Sequence, residues 1–346
     1  MKTLYKKQNM KKVIFAIVST VLLTSCVEDV TKKLKSIFGA ATADTAAVVN
    51  MVDGNDTKQQ AEKEDIKDLP LLVAAGYDEP DYYAPVGFTP SNQLSGDEYG
   101  ALTEEEQEAE NKRGEAEVDA FVSMLKQNKE RYNKLLIDGA WMDVQYVEAN
   151  FDRGESSTFA MGWSGEERKD HMKYVRYRDV KGKKSEGFDF GMLFTKEYVD
   201  SHNFLKVTGS GIAMPKDVYN KIEEQTGKKI AKVPYGYAIG NDYKYFVVMF
   251  VNEGNKAYAI HAVTTPEGLA LSEMESTDVE NGEAMWAVDT EGDYPMMGIQ
   301  IAEKGDNVLK IWYTDLAPEH ACLGAFIVKG NKMQKREYSQ NYIWVN

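Results

Sequence analysis

The chain has 346 residues, 43% of them hydrophobic, and a formal net charge of −14 at pH 7. This apolar content, with 20 tyrosines and 13 phenylalanines, is ample for a globular core, so general disorder is excluded. The excess of acidic groups repels phosphate backbones, so we expect no nucleic-acid partner, and the length allows one large domain or two modest ones.

Residues 1–25 have the composition of a secretory signal peptide. A lysine-rich start without acidic residues precedes an apolar stretch from Val13 to Leu23 that only Ser19 and Thr20 interrupt. The stretch is shorter than the roughly 20 residues of a membrane-spanning helix. We therefore expect it to be cleaved off rather than to stay in the bilayer.

The tetrapeptide Leu23-Thr24-Ser25-Cys26 resembles the lipobox of bacterial lipoproteins, in which an aliphatic residue and two small residues precede the acylated cysteine. The resemblance implies that Cys26 receives the lipid on its thiol and becomes the first residue of the mature chain. An ordinary cleaved signal with a cysteine near the cut is the alternative. The expected location is the cell envelope, with the membrane as a partner through the lipid on Cys26.

Two neighbouring acidic residues bear on the side of the membrane that the protein faces. Glu28 and Asp29 resemble the surface-export signal of lipoproteins in the Bacteroidota, which implies the outer membrane. The body would then face the periplasm or the cell surface, and display on the surface is the preferred expectation. With Cys26 acylated, Cys322 is the one remaining cysteine, so we expect no internal disulfide.

Behind the lipidated cysteine we predict a membrane-proximal helix over residues 26–52, because Val30, Leu34, Ile37 and Phe38 follow helical spacing. Such a helix would lie along the bilayer surface or pair with another helix, with a weakly ordered spacer as the alternative.

Residues 53–100 are mixed in charge and contain several glycines and prolines, which predicts a flexible tether. Two apolar stretches within it, Leu71-Leu72-Val73 and Tyr82-Tyr83, are candidates for docking on the main body.

A second amphipathic helix is predicted over residues 101–138. Thr103 and Glu106 have the spacing of a capping box, and apolar residues then recur at helical intervals up to Gly139. These apolar positions are Val118, Phe121, Val122, Leu125, Tyr132, Leu135 and Leu136. The apolar face must be buried, and the β-rich region that follows is its expected partner.

From residue 139 to residue 346 the apolar period becomes two, which predicts an antiparallel β domain of short strands. The strands are separated by turn-forming pairs, including Gly240-Asn241, Asn281-Gly282, Gly305-Asp306 and Gly330-Asn331. One inserted helix is predicted over residues 215–226, opened by Pro215 and closed by Gly227. The predicted fold class is mainly β, an antiparallel, hairpin-rich barrel or sandwich preceded by an amphipathic α-helix.

Gly139-Ala140-Trp141 follows the predicted helix and resembles the Gly-x-Trp sequence that opens the first strand of lipocalin-like barrels. The resemblance implies a structural role, in which Trp141 fills the closed end of the barrel. The chain departs from the pattern of that family, since its strand region is longer than an eight-stranded barrel and the helix over residues 215–226 has no counterpart there.

Two candidate nucleophiles have a simpler interpretation. Ser164 lies in a near match to the Gly-x-Ser-x-Gly elbow of serine hydrolases, but Glu166 replaces the last glycine, so we interpret Ser164 as a turn residue. Cys322 stands two residues after His320, as a thiol and imidazole on one strand face would. Because Cys322 begins an apolar run, we interpret it as a buried, inert thiol.

Metal sites are not clearly indicated by the sequence, and we expect no cofactor. The four histidines, His171, His202, His261 and His320, are far apart and do not form a His-Glu-x-x-His motif. Asp289, Glu291 and Asp293 place three carboxylates around a glycine, which makes them candidate calcium ligands. They lack the twelve-residue calcium-loop pattern, so a solvated hairpin turn is the preferred interpretation.

Three tryptophans are candidates for glycan recognition. Trp163, Trp286 and Trp312 can stack on sugars if they are exposed, but each lies in or beside a predicted strand and fits a core position as well. With 55 acidic residues, a catalytic carboxylate pair cannot be selected from sequence.

No catalytic constellation is complete, so we expect a membrane-anchored lipoprotein with a non-catalytic role in binding or surface assembly, with a protein or glycan ligand at the cell envelope. One alternative is an extracytoplasmic hydrolase acting on glycan or peptide, with a site assembled from residues distant in sequence. Another is a structural or adhesin subunit.

Overall fold

The computed structural model describes residues 69–344, except 77, 89, 91–98, 153–158, 161–164, 186–188, 287–293, 296 and 318–319. The predicted signal peptide, the predicted membrane-proximal helix and the predicted tether up to residue 68 lie outside the described residues. The predictions for those segments therefore remain predictions.

The fold is mainly β, as predicted. The described strands are β1 Leu71–Ala75, β2 Asp81–Pro85, β3 Tyr132–Ile137, β4 Ala140–Asn150, β5 Phe159–Ala160, β6 Tyr174–Asp179, β7 Asp189–Thr195, β8 Asn203–Thr208, β9 Ile230–Ile239, β10 Tyr243–Phe250, β11 Lys256–Thr265, β12 Gly268–Leu271, β13 Glu275–Glu280, β14 Glu283–Ala284, β15 Met297–Lys304, β16 Leu309–Ala317, β17 His320–Lys329 and β18 Lys332–Trp344. The helices are α1 Glu104–Asn128, α2 Gly165–His171, α3 Lys196–Ser201 and α4 Lys216–Thr226, with a 3-10 turn at Lys129–Arg131.

Six strands close into a first barrel in the order β1-β2-β6-β4-β3-β7, with every neighbouring pair antiparallel. Alternate side chains of these strands form its core, and the helix α1 adds Phe121, Met124 and Leu125 to the same cluster. Residues 71–75 and 81–85 thus belong to the barrel, which corrects the predicted tether over residues 53–100. Their apolar stretches are short and separated by a charged turn, so composition over a longer window concealed them.

The helix α1 begins with the predicted capping box. The Thr103 hydroxyl accepts a hydrogen bond from the Glu106 amide at 3.3 Å, and the Glu106 carboxylate accepts one from the Thr103 amide at 2.8 Å. The helix ends at Asn128, ten residues before the predicted end at residue 138. Tyr132 and Leu135 lie instead in β3, where pairing with strands on both sides outweighs a helical spacing that extends only over a few residues.

Nine strands form a second ring, which we call the second barrel. Their order is β9-β8-β15-β16-β17-β18-β12-β11-β10, and pairing of β10 with β9 closes the ring. The ring is weakly paired between β12 and β18, which are joined, in parallel, only at Leu271 and Lys332. We call this junction the seam. The parallel pairings β12–β18 and β5–β18 show that the predicted β domain is not purely antiparallel.

The helix predicted over residues 215–226 is present as α4, with Pro215 before its first turn and Gly227 in the left-handed conformation after its last. Val218 and Ile222 pack on Phe246 and other side chains of the outer face of the second barrel. The short helices α2 and α3 show that the expectation of a single inserted helix was wrong. Helices of six or seven residues span less than two turns, too few to establish a period.

The two barrels pack against each other through their outer faces. Leu72, Leu136, Met192 and Phe194 of the first barrel share an apolar cluster with side chains of the second, among them Ile301, Trp312, Leu323 and Tyr338. The described β region is therefore two barrels that share one buried interface, which answers a question that the sequence left open. It begins with β1 at Leu71 rather than at residue 139, the predicted start of the β domain.

Trp141 lies at this junction rather than inside a barrel. Its side chain is 39% exposed, and its ring contacts Phe194 and Phe204 edge-on, with centroid separations of 5.5 and 5.6 Å. Met142 and Val144, on the opposite face of β4, belong to the core of the first barrel. The lipocalin-like prediction that Trp141 fills a barrel end is therefore wrong.

Candidate binding site in the second barrel

Several residues selected from the sequence fall outside the described part of the chain. They are Trp163, Ser164, Asp289, Glu291 and Asp293. Their predicted roles stay predictions, including the calcium alternative. Within the described residues, no group of three or more His, Cys, Asp and Glu side chains is placed to hold a metal ion.

The structure places Cys322, Trp312 and His202 in different parts of the fold. Cys322 is 1% exposed in the core of the second barrel, and the side chain of His320 is not among those described. Trp312 is fully buried and donates to Glu303 Oε2 at 3.3 Å, so it offers no face to a ligand. His202 stacks on Tyr198 at the junction of the barrels, with ring centroids 3.8 Å apart.

His261 is the sequence candidate that the structure places in a polar network. It is completely buried on the inner face of β11, where hydrophobic residues alternate on either side of it. Its Nδ1 lies 2.6 Å from the Tyr245 hydroxyl and its Nε2 lies 2.9 Å from the Tyr294 hydroxyl. Tyr294 also donates to Glu275 Oε2 at 2.6 Å, and Glu275 Oε1 is 3.4 Å from His261 Nε2.

One assignment of hydrogens satisfies all these contacts with a neutral imidazole. Tyr245 donates to Nδ1, and the Nε2 hydrogen of His261 points at the Tyr294 oxygen and at Glu275. The Tyr294 hydroxyl then donates to the carboxylate. Every hydrogen has an acceptor, so burial of the ring leaves no donor of this network unsatisfied.

Local strand geometry brings these residues together. Tyr245 on β10 and His261 on β11 are diagonal neighbours on one face, since Val247 is the residue paired with His261. Between β12 and β13, Ser272 binds both backbone groups of His261: its amide donates to the His261 carbonyl at 2.9 Å and its Oγ accepts from the His261 amide at 3.0 Å. The chain then returns to β11 with Glu275 opposite Ala259.

Glu275 continues the network to the surface beside the seam between β12 and β18. Its side chain is 33% exposed, and Oε1 lies 3.9 Å from Lys335 Nζ. Lys335 is also 3.8 Å from Glu337 Oε1. The Trp286 ring meets the Tyr294 ring edge-on, with centroids 5.2 Å apart. We call Glu275 and Lys335 the seam site.

The carboxylate of the seam site is held in its ionised form. Burial raises the pKa of Glu275, but four effects outweigh burial and bring the pKa to about 2: the hydrogen bond from His261, the positive charge of Lys335, the charge that His261 carries when it is protonated, and the hydrogen bond from Tyr294. An ionised carboxylate offers only acceptor oxygens. A general acid needs the opposite shift, toward a pKa near neutral, so this arrangement suits binding rather than proton donation.

Sequence reasoning named His261 and Trp286 but not Tyr245, Glu275, Tyr294 or Lys335. These residues lie on separate strands and loops, so no motif spacing connects them. The available signal was a polar residue at an inward position, since His261 interrupts the alternating row formed by Ala257, Ala259 and Val263. A buried histidine in such a row requires polar partners from elsewhere in the chain.

Comparison with known proteins gives one match. A family profile described as the prokaryotic membrane lipoprotein lipid attachment site matches residues 10–26. The match supports the prediction of a bacterial lipoprotein, anchored in the cell envelope through a lipidated cysteine. No curated protein and no solved structure matches the chain. Among the described helices, none has the length and apolar character needed to cross a bilayer.

Proposed function

We propose that the protein is held on the membrane by acylation of Cys26 and that its second barrel binds a ligand at the seam site without chemical conversion. The lipid attachment match ends at Cys26, which supports this residue as the acylated one. Glu28 and Asp29 support display at the outer membrane, facing the cell surface. Residues 27–68 then separate the lipid from the first barrel.

The observation that carries the binding role is the partly exposed carboxylate of Glu275, which the Tyr294 hydroxyl and the His261 imidazole hold in place. Two donors hold this carboxylate in place, so a ligand meets a fixed acceptor, which lowers the entropic cost of binding. His261 is completely buried with both nitrogens in hydrogen bonds. A general base must reach the proton it removes, so His261 is a positioning residue for Glu275.

The proposal is tested by native mass spectrometry of the protein extracted from its own membranes in a gentle detergent, beside a Cys26→Ala form. We expect acyl chains on the wild type only, together with a further bound mass or protein partner. Equal masses for the two forms would contradict acylation of Cys26. Turnover of a glycan or peptide substrate by the purified protein would favour the hydrolase alternative instead.

A further inference from the structure

We propose that His202 is a proton-dependent connection between the two barrels: its protonated imidazole attracts Glu303 and strengthens the packing of one barrel on the other. His202 lies where the chain passes from the first barrel to the second, between α3 and β8. Glu303 lies on β15 of the second barrel. The inference concerns the junction of the barrels and does not depend on ligand binding at the seam site.

The carboxylate of Glu303 connects the second barrel to α3. The helix α3 packs against β3 and β7 of the first barrel, and the hydroxyl of its Tyr198 donates to Glu303 Oε2 at 2.6 Å. Trp312 of the second barrel donates to the same oxygen at 3.3 Å. The other oxygen, Oε1, lies 3.6 Å from His202 Nε2, and the Glu303 side chain is only 13% exposed. The carboxylate is therefore fixed at the junction with one oxygen near the imidazole.

The contacts of the His202 ring require a hydrogen on Nδ1. This nitrogen lies 2.7 Å from the backbone oxygen of Tyr198, which can only accept. It also lies 3.0 Å from Ser201 Oγ, which donates its own hydrogen to the Glu197 carbonyl at 2.7 Å. A neutral imidazole carries one hydrogen, so its Nε2 then presents a lone pair to Glu303. Two acceptors face each other in that state, and only a protonated ring has a donor on each nitrogen.

Protonation of the ring replaces this unfavourable pair with an attractive one. The positive imidazole then lies 3.6 Å from a carboxylate that is largely shielded from solvent. The Tyr198 ring is stacked on the imidazole with centroids 3.8 Å apart, and an aromatic face attracts a cation. The folded chain has this attraction and the unfolded chain lacks it. The contact therefore stabilises the junction at acid pH, and its contribution is lost as the pH rises through the range in which imidazoles give up a proton, at about pH 6 to 7.

The other charged groups around the contact do not supply this pH dependence. In the described part of the chain they are Lys206 of β8, Lys310, which is paired opposite Glu303 on β16, and the ion pairs that Lys196 and Glu197 of α3 form with Asp200 and Arg131. Side chains of these types keep their charge between about pH 5.5 and about pH 8. Their effect on the junction is constant over this range, so the change comes from His202.

The inference is tested by native-state hydrogen exchange of the full acylated protein in detergent, followed by mass spectrometry of peptides from β8 and β15. The exchange rate of His202→Gln is divided by that of the wild type at the same pH, which cancels the intrinsic pH dependence of exchange. Glutamine is neutral throughout. We expect this ratio to be about fivefold higher at about pH 5.5 than at about pH 8, because an ion pair at the surface is worth at most about that factor.

Glu303→Gln removes the charge that His202 attracts and keeps an oxygen to accept from Tyr198, so its ratio should depend on pH in the same way. In the Glu303→Gln background, His202→Gln should have no further pH-dependent effect. The matched control is His171→Gln, which changes an exposed histidine at the end of α2 and should give one ratio at both pH values. Circular dichroism establishes that each variant is folded, and Glu303→Gln keeps the test valid if His202→Gln does not fold.

A ratio for His202→Gln that is the same at both pH values overturns the inference, because a structural role of the ring alone does not depend on its charge. An effect of His202→Gln that keeps its pH dependence in the Glu303→Gln background overturns it as well, since the proton would then act through another partner.

Discussion

The hydroxyl of Tyr294 donates a 2.6 Å hydrogen bond to Glu275, and the same oxygen lies 2.9 Å from His261. Tyr294 therefore connects a buried imidazole to a carboxylate at the surface. The network gives Glu275 a fixed position and an ionised state, which are the properties that the proposed binding function uses.

Replacement of Tyr294 by phenylalanine should lower the free energy of unfolding by about 1–2 kcal/mol, measured by urea denaturation. The variant keeps the ring against Trp286 but removes the donor to a charged acceptor, and it leaves His261 without one hydrogen-bond partner. Tyr235→Phe is the control, because Tyr235 packs on the same core and no hydroxyl hydrogen bond is described for it. Equal losses in the two variants would contradict the role assigned to the Tyr294 hydroxyl.

The contribution of Glu275 to stability should depend on pH. Its folded pKa of about 2 lies below the ordinary 4.5, so the stabilisation is fully present above about pH 4.5 and is lost as the pH falls toward about 2. The difference in unfolding free energy between wild type and Glu275→Gln should be about 2 kcal/mol at pH 6, after allowance for solvent screening, and should shrink at about pH 3. A difference that is constant over this range would show that the carboxylate is not held ionised.

Arg168 forms a buried ion pair on the first barrel whose loss should be costly. Its side chain is 1% exposed, Nη1 lies 2.7 and 2.6 Å from the two Glu79 oxygens, and the guanidinium lies over the Tyr83 ring. We expect Arg168→Met to lower the unfolding free energy by about 3 kcal/mol, since the Glu79 carboxylate loses its partner. Lys112→Met breaks an exposed pair with Glu108 and should cost at most about 0.5 kcal/mol. Similar costs for both variants would contradict the expectation that the buried ion pair contributes more to stability than the exposed one.

Gly324 on β17 has no space for a side chain. A Cβ atom there would overlap the Tyr313 ring and would lie 2.7 Å from the Arg336 carbonyl oxygen, so strand backbone would have to move. Gly324→Ala should lower the midpoint of thermal unfolding by several degrees, corresponding to about 2 kcal/mol or more. Gly211→Ala is the control, because nothing lies within 4 Å of its Cβ position. An unchanged midpoint in Gly324→Ala would contradict the packing of β17 against β16.

The capping box of α1 gives a local prediction. Thr103→Ala removes the acceptor for the Glu106 amide and should cost about 1 kcal/mol, whereas Thr103→Ser keeps the hydroxyl and should cost little. The measurement is urea unfolding followed by far-ultraviolet circular dichroism. Equal stability of the alanine and serine variants would mean that the cap does not contribute.

Features encoded within a few neighbouring residues could be predicted from the sequence. The capping box, the helix α4 and the hairpin turn Asn281-Gly282, whose φ angles are +52° and +90°, are of this kind. The mainly β fold class followed from the alternation of apolar residues along the strands.

Features that depend on distant pairing could not be predicted. Residues 71–75 and 81–85 become strands because β7 and β6 pair with them, and the end of α1 is decided by the partners of β3. The seam site has the same origin, since Glu275 and Lys335 meet through the order of strands around the second barrel. A single sequence contains no direct signal for such contacts.

The order of strands in the first barrel has a consequence for folding. β1 lies between β2 and β7, so one edge of β1 stays without its partner until residues 189–195 have been made. During this interval Leu71–Ala75 presents open backbone groups on an apolar strand, the arrangement most prone to pairing with other chains. Until β7 pairs with it, β1 is therefore the edge at which the folding chain is most exposed to pairing with another molecule.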